Sequence, residues 1–420
     1  MGLFDKFKKP KEPRAPERVK EAGLLFCPEP DPKKVLDQIG ALFQIETVGG
    51  RNNIHLTQDD MEIILLAVSP DEEGENGKYA KEQLQGVAGY VYHNKTELLE
   101  IKRNLFYHLR QCKSLVQIIC SFDSSSPAET KEKEKQVMAP LFDMTEKLQG
   151  VITFGDGMTL QNSRGQVILD KNGRSDLDWY LPAELPLPAD WLRDAPPESV
   201  ERRNKSMALL REKRVYVTPW LPLLHERSAD PGRTVEEVCG RAAALLVVSL
   251  YSECRVGDHL SYEEAREFVD PIMESYGAEE AFFSPREWEY LNDPDSTEQT
   301  QIQYAWQYEN LWVMEWALGL TGDLFWPTRI CDVPGAVRLL KGCQTMEELL
   351  AAARLRSRKE LLEQADLIYR LHWACVDARV MGMPAPQGLE EGVVMERHRA
   401  LFWLAGCDEM CPWDDVDLST

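Results

Sequence analysis

The sequence lacks most of the short signatures that assign a chemistry. It holds no CxxC pair, no glycine-rich loop followed by Lys and Ser/Thr, and no Ser or Cys in a recognisable nucleophile motif with a base. No stretch approaches the roughly 18 apolar residues of a membrane span, and the first residues lack the apolar core of a signal peptide. No fixed-period repeat is visible, which excludes a solenoid. Basic residues are also in deficit, with 48 Lys and Arg against 70 Asp and Glu and a formal charge of −22. Phosphate neutralisation needs a basic surface, so the balance argues against nucleic-acid binding.

What is present is a long chain with a large apolar content. Its 420 residues, 43% of them hydrophobic, can bury a core without staples and divide naturally into two or three domains. The ten cysteines are scattered singly, as buried reduced thiols of a cytoplasmic protein are. Cys407 and Cys411 lie near His398, but no fourth ligand accompanies them, so no metal site and no cofactor is assigned. Asp414, Asp415 and Asp417 form a solvated acidic tail by the same reasoning, and Trp413 within it suggests that the tail docks.

The pattern along the chain predicts an α+β domain followed by an all-helical one. Residues 1–20 alternate proline with charge and read as a flexible basic arm, too weakly apolar for stable membrane association. Over 21–182, "GLLFC", "NNIHL", "MEIILLAVS" and "LVQIICSF" have strand composition. "DPKKVLDQIGALF" and "KTELLEIKRNLFYHLRQC" have helical spacing, the second with Asn94 or Thr96 as N-cap. "VITFGDGMTLQNSRGQVILD" reads as strands turning at Gly155–Gly157 and Gly165. Five prolines between Leu181 and Val200 mark a linker at 183–197. From 198 to 420 the spacing is helical almost throughout, with Ser261/Glu264 and Ser284/Glu287 as capping boxes.

Three of these helices place an ionisable group in the middle of an apolar face. Glu309 is ringed at helical spacing by Trp306, Trp312, Val313 and Trp316, and Arg397 by Val393, Val394, Ala400, Leu401 and Leu404. His372 lies in the stripe of Leu361, Leu362, Ala365, Ile368, Tyr369 and Val376, with Asp366 and Arg370 on its border. Buried charges need partners, so a single polar site with a Glu309–Arg397 pair and His372 alongside is expected. One reading makes this a structural network, and the other makes it a pocket with Glu309 or His372 as acid or base and Arg397 as an anion anchor. The tryptophans around it are expected in the core.

The motifs "RRNKSMALLREK", "TVEEVCGRAAAL", "FFSPREWEYL", "WQYENLWVMEWALG", "VVMERHRALFWL" and "WDDVDLST" carry a family resemblance. Residues 198–420 resemble the bacterial domain of unknown function 4272, and the preceding part resembles the extension of its longer members. The resemblance implies no activity and carries over no catalytic residue. It does add Glu396 to Glu309, Asp366, Arg370, His372 and Arg397 as positions that give the family its look. Phe402 stands where the family's "ALNWL" has a polar residue. The expected function is therefore a cytoplasmic binding, scaffold or regulatory module with an unknown protein or small-molecule partner. The alternative is an enzyme, such as a hydrolase, built on the inward Glu, His and Arg.

Overall fold

The computed structural model describes residues 17–43, 53–58, 60–187, 189–193, 195–224, 232–406 and 410–420. The chain forms two compact units, 1–184 and 185–420.

In the first unit the strands are β1 (Glu17–Cys27), β2 (Asn53–Gln58), β3 (Met61–Val68), β4 (Ser114–Ser124), β5 (Val151–Phe154), β6 (Leu160–Gln161) and β7 (Val167–Leu169). Among the described residues they make one antiparallel sheet in the order β2-β3-β4-β1-β5-β6-β7. Its helices are α1 (Pro32–Phe43), α2 (Glu75–His93), α3 (Leu99–Gln111) and α4 (Pro127–Lys147). Successive strand side chains point to opposite faces. Thus Leu25, Leu65 and Val116 pack with α1 and α4, while Phe26, Val68 and Leu115 pack with α2 and α3. Burial on both faces is why the central strands read as nearly continuous apolar runs.

Three local expectations change. The strand β1 begins at Glu17 and pairs with β4 from there, so residues 17–20 belong to the sheet rather than to the basic arm. The earlier part of that arm lies outside the described residues. The N-cap of α3 is Leu98; Asn94 caps the end of α2 instead, and Thr96 accepts the Leu98 N–H at 3.0 Å in a turn before the helix. Finally, α2 and α4 are additional helices, each with a narrow buried stripe in a largely polar sequence.

The second unit is all-helical: α5 (Ala189–Arg193), α6 (Pro197–Glu212), α7 (Val235–Val256), α8 (Tyr262–Tyr276), α9 (Pro285–Leu291), α10 (Glu298–Ala305), α11 (Gln307–Ala317), α12 (Val333–Lys341), α13 (Met346–Ala352), α14 (Arg358–Val380) and α15 (Glu391–Ala405). The short α5 falls inside the expected linker, and the single helix expected over 300–320 breaks at Trp306. Both expected capping boxes form, and Thr234/Glu237 and Ser357/Glu360 add two more. The core runs through α7 and α11. Every residue of α11 is buried, because α7 covers one side and α15 the other. In turn α14 packs on α15, and α6 on α14.

Candidate functional site

Glu309 and Arg397 meet between α11 and α15, both almost fully buried. Arg397 Nε donates to Glu309 Oε2 at 3.1 Å, and the Cys331 N–H donates to Glu309 Oε1. Arg397 Nη1 donates to the carbonyls of Leu324 and Phe325, the latter at 2.9 Å. The next residues repeat the stitch, with Asn310 Nδ2 donating to Glu396 Oε2 at 2.8 Å and Arg399 approaching the same oxygen at 3.4 Å. Burial holds the Glu396 carboxyl above its ordinary range, against the pull of Arg399 and Asn310.

These contacts hold down the loop from Thr321 to Asp332. Arg356 donates to the carbonyls of Thr321 and Gly322, and the Glu390 N–H donates to the Pro327 carbonyl at 2.9 Å. Tied at these points, the loop takes Phe325 to φ +51°, a region that bulky residues rarely occupy. Its ring is 64% exposed, and Ile330 nearby is 57% exposed. Cavities flank the loop. One of about 390 Å³ is lined by Trp312, Trp326, Arg329 and Arg397, and a more apolar one of about 230 Å³ by Ile302, Trp306, Glu309 and Ile330.

The other candidates lie elsewhere. Asp366 accepts from Arg370 Nε and Nη2 at 2.9 and 2.8 Å, a buried two-pronged pair within one turn of α14, and Arg370 also reaches the Pro222 carbonyl at 3.5 Å. His372 Nδ1 meets His398 Nδ1 at 2.7 Å, so one ring donates and the other accepts. Burial pushes the His372 imidazolium pKa down to about 4 and holds that of His398 well below its ordinary range, with repulsion from Arg379 on the first and from His372 on the second. The expected convergence of His372 with Glu309 and Arg397 is thus corrected to three separate contacts. The reason is helical geometry: Arg397 and His398 are about 100° apart around α15, so one faces α11 and the other α14.

The wheels also passed over several buried groups. Arg241 Nη2 donates to Glu287 Oε1, while its guanidinium lies 4.3 Å from the Trp413 ring centre. Trp413 is buried against Trp403, and the Arg286 N–H donates to Asp414 at 3.2 Å, so the tail docks as Trp413 suggested. Among the described residues neither oxygen of the fully buried Glu315 has a partner, and burial raises its carboxyl pKa to about 9. In the first unit His108 contacts the Tyr180 hydroxyl and the Gln149 carbonyl, and burial lowers its pKa to about 4. A lone charge inside "GRAAALL" or "VMEWA" was the available signal for Arg241 and Glu315. Trp312, Trp316 and Trp403 are core residues, as expected, while Trp306 and Trp373 are half-buried.

Arranged this way, Glu309 has each oxygen occupied by a charge-assisted or backbone donor, and acid–base work there would first have to break those bonds. Among the described residues, no group of three or more His, Cys, Asp or Glu side chains is placed to hold a metal ion, and no helix is long and apolar enough to cross a membrane. Cys407 lies outside the described residues.

The chain matches no curated protein and no solved structure. The family model described as Domain of unknown function (DUF4272) matches residues 202–416, just over half of the chain, and leaves the sheet-bearing unit outside. The span runs from the second turn of α6 to the docked tail, and it includes all six of the inward polar positions. Through its helical unit, the chain belongs to the DUF4272 family.

Proposed function

We propose that the helical unit is a binding module of a cytoplasmic protein, presenting the surface around the loop 321–332 to a partner molecule. One observation carries the reading. The inward Glu and Arg are spent on one another and on the loop backbone, while Phe325, Ile330 and Arg329 are left facing outward beside two cavities. Glu309, Glu396 and Arg397 then serve as a clamp, and Asp366, Arg370 and His372 as further core pairs. The free thiols of the nine described cysteines support the cytoplasmic location. The acidic balance of the chain weighs against nucleic acid as the partner.

The test is a thermal-shift panel of small polar and aromatic compounds on the full chain and on Phe325→Gly. Glycine occupies the left-handed region freely, so the variant keeps the backbone and loses the ring. Compounds that stabilise the wild-type chain and lose their effect in the variant support the module. A panel in which no compound separates the two proteins overturns it.

A further inference from the structure

Building on that reading, we infer that the 390 Å³ cavity beside the loop takes a planar aromatic carboxylate, with its ring against Trp312, Phe325 and Trp326 and its anionic end on Arg329. The volume falls within the range of small-molecule sites, roughly 300–1,000 Å³. Three of its lining residues, Trp312, Phe325 and Trp326, are aromatic, which favours a flat ring.

Charge decides the rest. Arg397 faces the cavity, but Glu309 already neutralises it. Asp332 is engaged as the cap of α12, accepting from the Gly335 N–H at 3.1 Å, with Arg338 at 3.7 Å. Arg329 makes no hydrogen bond or ion pair among the described residues, so its charge is the uncompensated one. The uncompensated group is a donor, and therefore the ligand must bring acceptors. One free guanidinium matches one carboxylate, in number of charges and in its two-pronged geometry; a phosphate dianion would be left half-compensated.

The loop geometry points the same way. An aromatic residue at φ +51° is strained, and here the strain is held by Arg397 on the carbonyl side and by Asp323, which accepts the Phe325 N–H at 3.0 Å. The effect is to set the ring at the cavity rim, where it can close on a flat ligand.

Calorimetric titration of the full chain with 1-naphthoate and with its neutral isostere 1-naphthamide tests the assignment. Naphthoate is expected to bind with one-to-one stoichiometry, and Arg329→Gln to weaken it by about tenfold or more, the effect of one lost charge-assisted contact. Naphthamide should bind more weakly and should not respond to Arg329→Gln. Lys341→Gln, which removes an exposed charge on α12 outside the cavity lining, should leave both probes unchanged. The inference is overturned if naphthoate binds no better than the amide, if Arg329→Gln leaves naphthoate affinity intact, or if neither probe binds. Equal binding of acid and amide, abolished for both by Phe325→Gly, would remove the carboxylate assignment while leaving the binding surface standing. Arg329 and Phe325 are both exposed, so the variants should fold, and circular dichroism checks that they do.

Discussion

Replacing Glu315 with Gln should change the dependence of stability on pH, by an amount the structure sets. The carboxyl is fully buried on α11 with no partner for either oxygen among the described residues, and its pKa rises from its ordinary 4.5 to about 9. The folded protein therefore keeps this proton where the unfolded chain releases it. A pKa raised on folding gives stability that is present below the unfolded value and is lost as pH rises through the folded one. The window is thus about pH 4.5 to 9, with a slope of about 1.4 kcal/mol per pH unit, and by pH 7 roughly 3 kcal/mol has gone. Gln has the same shape and cannot ionise, so the variant should gain on the parent by that slope between pH 5 and 8. Urea unfolding followed by tryptophan emission suits the measurement, since every tryptophan except Trp179 lies in the helical unit. Other titrating groups cancel in the difference between the two proteins. Parallel stability curves across pH 5–8 would refute the reasoning, because they would mean that Glu315 ionises inside the fold at no cost.

Glu309→Gln and Arg397→Met should each cost about 3–5 kcal/mol by stranding the other member of the pair, and the double variant should recover much of the loss, as read from urea midpoints. His372 and His398 are held neutral, with pKa values below the ordinary 6.5, so the folded state binds fewer protons than the unfolded one and stability falls as pH drops from about 6.5 towards 4. His372→Gln should flatten that acid limb relative to the parent in unfolding curves at pH 4.5–6.5. Trp413→Ala takes away a buried ring packed on Arg241 and Trp403 and should cost roughly 3–5 kcal/mol in the same assay. Deletion through Lys20 should lower the melting temperature, because it strips Glu17–Lys20 from their pairing with Ser124–Ser121.

How much of this was legible depended on whether the signal was local. Capping boxes are written in four residues, so Ser261/Glu264 and Ser284/Glu287 could be read directly, and the apolar runs of β3 and β4 could be read as strands. The Glu309–Arg397 pair could be inferred because each charge interrupts an apolar face and the two have opposite signs. Partner choice was less legible where more than one buried group was available. His372 pairs with His398, a residue hidden beside the more conspicuous Arg397, and nothing in either helix alone fixes which faces α14. Likewise α2 and α4 bury narrow stripes in polar surroundings, a weak period that only tertiary packing makes sense of. The rim of Phe325 and Arg329 was invisible because it depends on a loop whose path is set by side chains from α11 and α15.

The placement of β1 bears on how the first unit is made. Residues 17–27 are synthesised before the rest of the sheet yet occupy its interior, between β4 and β5, and their whole length pairs with residues 114–124. On the ribosome this strand must wait until nearly a hundred further residues have emerged before its main neighbour exists. Its two edges stay open meanwhile, and closing so long a loop carries an entropic cost that local helices do not share. The helices α1, α2 and α3 lie within that interval and can form while the strand waits. A nascent chain arrested before residue 114 should accordingly be helical and protease-sensitive, with protection of residues 17–27 appearing only once β4 has cleared the exit tunnel.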